Sequence, residues 1–280
     1  MKKNILIILL CVVIYSSCIG KTVKKEKITK TDNSEKINIA ELIIKQDFSE
    51  LSNVIEAGLA DNYVYNGKPL LYYFVSNNLT DLAITLLSRT KDLSYIDAQL
   101  DLPLFTTVIY KKNLILEKAF LQKGVDLTYR DSKRGNASYL NMILGLEDNA
   151  EKQSIMEIFC SFDYVRKYFQ EEDGTLFAII WRWSDNSPDY IEKIYGKDFK
   201  VSNDIPVLHW AITNIDALKY FITKGADTKK VFYGQDYWGN SVDYAYYVRA
   251  SLERRQVDGT YIDIESIKNM DTIIEFLENH

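Results

Sequence analysis

Apolar residues in this chain recur in short blocks separated by polar breaks. Residues 69–75 (PLLYYFV), 103–109 (PLFTTVI) and 206–212 (PVLHWAI) share one template that opens on a proline. Proline suits the first turn of a helix, because its φ is already fixed and its missing N–H is not needed there. After Thr213 and Asn214, a second amphipathic run places Ile215, Leu218, Phe221 and Ile222 on one side. Gly225 can stop that helix in the left-handed conformation common at helix C-termini. Residues 114–123, closing on Gly124-Val125-Asp126, match residues 215–224, closing on Gly225-Ala226-Asp227. From 69 to 103 is 34 residues, and from 103 to 206 is 103, close to three further periods. Two weaker copies, 138–144 (SYLNMIL) and 175–181 (TLFAIIW), fill that gap. One pair of such helices cannot bury its own apolar face, so the pairs must pack on one another.

A first pair is predicted at 37–44 and 48–56, with Leu42, Ile43, Leu51, Val54 and Ile55 apolar and Gly58 ending it. The last unit begins near 236–241, holds an expansion at 254–261 and closes on a helix over 263–279. Its Glu265, Lys268, Asn269, Asp271 and Glu278 leave one face polar, as a terminal cap requires. Between 130 and 200 the spacings drift around Trp181-Arg182-Trp183 and Pro188, which predicts one displaced or lengthened helix. Hairpin-like loops are predicted near positions 64, 98, 132, 171, 203 and 237, giving about seven units.

The stretch 204–227 resembles one unit of the ankyrin repeat, whose pattern runs T-P-L-H-x-A, then a helix ending in L-L, then G-A-D. His209 and Ala211 match that pattern, Phe221-Ile222 replace the leucine pair, and Pro206 sits one place early. Residues 236–241 fit the D-x-x-G-x-T turn, although the interval from Gly239 to Ala245 is one residue shorter than the pattern. The resemblance implies an all-α, ankyrin-type solenoid, a right-handed stack of about seven antiparallel helix pairs over 37–280. It implies a backbone-bonding role for the His209 imidazole in the repeat turn. It also implies that partners meet the hairpin tips and the first-helix face. The tip residues are then Tyr63, Tyr65, Tyr95, Tyr129, Tyr233, Tyr237 and Trp238, and Tyr and Trp are frequent interface anchors.

The first residues follow another logic. Lys2 and Lys3 precede an apolar run over 5–15, and Ser16-Ser17-Cys18 follows, the order of a secretory signal peptide over 1–17. A run of about 11 residues is too short to span a bilayer as a helix, which needs roughly 20. Cys18 after two small residues resembles the bacterial lipobox, although Tyr15 stands where that family favours leucine. The resemblance implies cleavage before Cys18 and lipidation of its thiol and new N-terminus, with palmitate among the acyl chains; ordinary signal cleavage would leave a free thiol instead. Residues 18–36 then read as a lipidated cysteine and a lysine-rich disordered tether. With Cys11 removed and Cys18 acylated, Cys160 has no disulfide partner and reads as a small buried hydrophobe. The implied location is the bacterial cell envelope, lipid-anchored at one of its membranes.

Composition changes the picture only at the level of partners. At 47% apolar and 26% charged, with 4 Pro and 12 Gly, the chain is that of an ordered protein. From residue 18 onward it holds 32 basic and 39 acidic residues, a net of −7, which disfavours nucleic acid and favours a basic protein surface. The two histidines are His209 and the C-terminal His280. No cysteine pair at zinc spacing, H-E-x-x-H or Gly-x-Ser-x-Gly motif occurs, and Gly20-Lys21-Thr22 lacks the rest of a P-loop. The reading is therefore a lipid-anchored, monomeric module for protein–protein interaction, without cofactor, metal or enzymatic role. The alternative is an immunity or inhibitor protein that occludes a toxin or hydrolase in the same compartment. An enzyme ranks third, since the carboxylates cannot be paired from sequence.

Overall fold

A computed structural model describes residues 37–97, 102–131, 133, 137–172, 174–202, 204–233, 238–257 and 264–280; for Trp238, Gln256 and Val257 it describes the backbone alone. The compact unit runs over Ile39–His280. Its described residues are all-α in class, with fifteen helices and three two-stranded hairpins.

The helices come in pairs. They are α1 (Ile39–Lys45) with α2 (Phe48–Glu56), α3 (Leu70–Ser76) with α4 (Thr80–Arg89), and α5 (Leu104–Tyr110) with α6 (Leu114–Lys123). Then come α7 (Tyr139–Leu144) with α8 (Ala150–Cys160), an additional helix α9 (Asp163–Glu171), and α10 (Gly174–Trp181) with α11 (Ser187–Tyr195). The chain finishes with α12 (Val207–Trp210) and α13 (Ile215–Thr223), then α14 (Ser241–Val257) and α15 (Ile264–Glu278). First helices pack in a row, α3 on α5, α5 on α7, α7 on α10, α10 on α12 and α12 on α14. Second helices do the same from α2 through α4, α6 and α8 to α11. All but α14 and α15 are of 4 to 11 residues, too short to persist alone in water. Their stability comes from packing, in one apolar core that continues from Ile39 to Leu277.

The first helices bury a regular set. Leu70, Leu71, Phe74 and Val75 in α3 correspond to Leu104, Phe105, Val108 and Ile109 in and beside α5, and to Val207, Leu208, Ala211 and Ile212 around α12. In α10 the buried set is Thr175, Leu176, Ile179 and Ile180. Gly174, not Thr175, therefore stands at the proline position. The template read on sequence is one residue out of register here, and the site depends on that slip.

The turns within four of the pairs carry a repeated polar lock. Asp47, Asn113, Asn149 and Asn214 cap the second helix by accepting from its first-turn N–H groups. Asn113 Nδ2 also donates to Asn78 Oδ1 at 2.6 Å in the preceding turn, and Asn186 Nδ2 donates to Asp148 Oδ1 at 3.1 Å. Arg89 braces adjacent units through Asp61 at 2.6 Å, as Lys224 does through Glu192 at 3.0 Å.

Between units the chain forms hairpins where four of the six were predicted. Val64–Tyr65 (β1) pairs with Lys68–Pro69 (β2), Ile96–Asp97 (β3) with Leu102–Pro103 (β4), and Phe232–Tyr233 (β5) with Trp238–Gly239 (β6); Asp131 bridges Ala137. In the first, Asn66 and Gly67 take φ of 52° and 76°, the positive values an Asn-Gly hairpin turn needs. Position 171 is a correction, because α9 occupies it. Val165 and Phe169, four residues apart, are buried while Asp163 and Lys167 face away, and this amphipathic turn packs on α8 and α11. Near 203 the described residues form a turn without strand pairing. The expansion at 254–261 is also corrected in its first part, since α14 continues through Val257.

Candidate interaction surface

The described tip side chains do not form one exposed strip. Tyr63 is half-buried against the core, Tyr65 meets Tyr73 edge-to-face at 5.1 Å, and Tyr95 meets Tyr72 the same way at 5.7 Å. Tyr129 is half-buried and tilts against the buried Tyr139 at 5.7 Å. Each hairpin lies beside a first helix, and a ring is more stable packed there than fully hydrated. Tyr233 is 84% exposed. Tyr237 and Cys18 lie outside the described residues, and of Trp238 only the backbone is described, paired with Tyr233.

A different aromatic group stands on the row of first helices. Phe177 and Trp181, one helical turn apart in α10, stack at 6.2 Å between ring centroids, and Trp210 of α12 meets Phe177 edge-to-face at 5.5 Å. Trp181 is 74% exposed and Phe177 45%. With Gly174 at the proline position, these residues fall off the buried set. Had Thr175 held that place, Phe177 and Trp181 would occupy the positions of Leu71 and Val75 and face the core. Tyr110 on α5 and Tyr247 on α14 extend exposed aromatic surface to other first helices.

His209 is buried between Phe232 and Tyr244, with ring centroids 5.5 and 4.9 Å away. Its Nε2 lies 3.2 Å from Gly239 O. It ties α12 to the turn that opens the last pair, a backbone contact of the kind the repeat pattern implies.

Burial pushes several titratable groups toward their neutral forms. Desolvation raises Glu117, 1% exposed on α6, to a pKa of about 9 and raises the Cys160 thiol on α8 to about 12. Burial likewise lowers Lys152, whose Nζ donates to Leu144 O at 3.1 Å. Among the described residues no group of three His, Cys, Asp or Glu side chains could hold a metal ion, and no helix is long and apolar enough to cross a membrane.

No protein-family model and no curated protein matches this chain.

Proposed function

We propose that this protein is a lipid-anchored, ankyrin-type repeat module that holds a protein partner at a bacterial membrane. The observation that carries the reading is Trp181, 74% exposed on a packed row of helices and backed by Phe177 and Trp210. Leaving so large a ring in water forgoes a few kcal/mol of burial, and a docking surface recovers it on binding. The paired helices, the 34-residue interval from Pro69 to Pro103 and the His209 contact support the repeat class. The N-terminal charged, apolar and small-residue order supports anchoring through Cys18. The module acts as a monomer, and its partner is a protein with a basic surface.

The test is affinity capture from detergent-solubilised envelope, using the full chain as bait. Recovery of one stoichiometric protein partner is expected. Recovery of none from any membrane fraction would contradict the proposal.

A further inference from the structure

Three exposed carboxylates lie in or next to the turns that follow the first helices α7, α10 and α12. Glu147 lies in the turn after α7, Asp185 in the turn after α10, and Asp216 at the start of α13; all three are exposed. The Asn186–Asp148 hydrogen bond joins the first two turns. Trp183, two residues before Asp185, packs on Tyr220 at 5.7 Å, one helical turn along the same face from Asp216. The same segments carry the cations Lys152, Arg182 and Lys219, of which Lys219 lies three residues from Asp216 in α13 with its Nζ 5.9 Å from the Phe276 ring. Lys152 is 3% exposed and faces inward to Leu144 O. Arg182 is exposed, and its charge bears on Lys152 on the α8 side.

The whole folded unit has the same sign. Residues 1–36 hold 8 of the 34 basic and 3 of the 39 acidic residues, which leaves 26 and 36 over 37–280, a net of −10. A ligand for this place must bring positive charge and a flat group to set on an indole face. The guanidinium of arginine has both properties, is weakly hydrated for a cation and stacks on aromatic rings; the lysine ammonium is a compact, strongly hydrated point charge.

We infer that the Phe177–Trp181–Trp210 ridge is the docking surface for a basic segment of the partner protein, with an arginine side chain stacked on Trp181. This rests on the binding-module reading and adds the side chain that Trp181 receives. Phe177 holds Trp181 from one side, so the indole loses little freedom when the partner arrives. The carboxylates of Glu147, Asp185 and Asp216 steer the basic segment and meet its remaining charges.

The experiment titrates labelled nona-arginine, nona-lysine and nona-glutamate peptides into the full chain and reads fluorescence anisotropy. Nona-arginine should bind more tightly than nona-lysine, and nona-glutamate should not bind. Trp181→Ala should weaken nona-arginine at least tenfold, and Trp181→Phe should retain most of the affinity. Glu147→Gln combined with Asp185→Asn should weaken both cationic peptides. Equal binding of the two cationic peptides, unaffected by Trp181→Ala, would reduce the effect to net charge and overturn the inference. Trp181-dependent binding to vesicles of mixed zwitterionic and anionic lipid, without peptide binding, would replace it by a membrane contact. A captured partner that binds Trp181→Ala as well as wild type would remove this surface and leave the binding-module reading standing.

Discussion

Glu117 sits at the contact of α6 with α8 and gives the residue-scale account a number to meet. Its pKa, raised from 4.5 to about 9, means that the folded chain keeps a proton the unfolded chain has lost over that interval. Stability therefore falls as pH rises from about 4.5 to about 9, at up to about 1.4 kcal/mol per pH unit. The Cys160 thiol, raised to about 12, adds its own loss only above the usual thiol range of about 9. Replacing Glu117 by Gln should leave stability near that of wild type at pH 5. At pH 8 it should make the protein more stable than wild type by about 4 kcal/mol. Urea denaturation at the two pH values checks this, and a difference independent of pH would mean that Glu117 is ionised and solvated in the fold.

At the scale of elements, the turn asparagines should matter more than their exposure suggests. Asn113 caps α6 through Leu116 N and reaches back to Asn78 and Thr80 in the preceding unit. Asn113→Ala removes a cap worth about 0.5 to 2 kcal/mol and the bonds between units with it. A loss near the upper end of that range is expected in chemical denaturation, and a change below about 0.5 kcal/mol, typical of a free surface residue, would count against the lock. Helix existence was legible because apolar blocks such as 69–75 and 103–109 recur with their breaks. The helix α9 was not legible. Its two buried residues, Val165 and Phe169, are too few to stand out from a linker, and only packing on α8 and α11 makes them a helix face. The site was hidden by register. Phe177 and Trp181 are visible in the sequence as apolar residues of a helix, but a one-residue slip turns a helix by about 100°, enough to exchange core for solvent. No local signal in TLFAIIW fixes that choice; the burial of Thr175 does. The same limit applies to the tips, where Tyr65 and Tyr95 look free until Tyr73 and Tyr72 are placed beside them.

The chain as a whole joins an acidic folded unit to a lysine-rich N-terminal stretch. Of the 38 residues before the compact unit, 8 are basic and 3 acidic. If Cys18 carries lipid, Cys18→Ser should abolish both acyl labelling and partitioning into the detergent phase; a variant that still labels and partitions would contradict the anchor. The melting temperature should not change, because the core begins at Ile39.

The most direct test of the central claim, that the row of first helices is a binding face, is to measure melting temperature and partner affinity together on Trp181→Ala. An exposed anchor contributes little to folding, so melting should shift by no more than about 1 kcal/mol of stability allows, a few degrees at most. Affinity should fall by on the order of 2 kcal/mol, about thirtyfold. Unchanged affinity of the folded variant, with or without a drop in melting, would contradict the account.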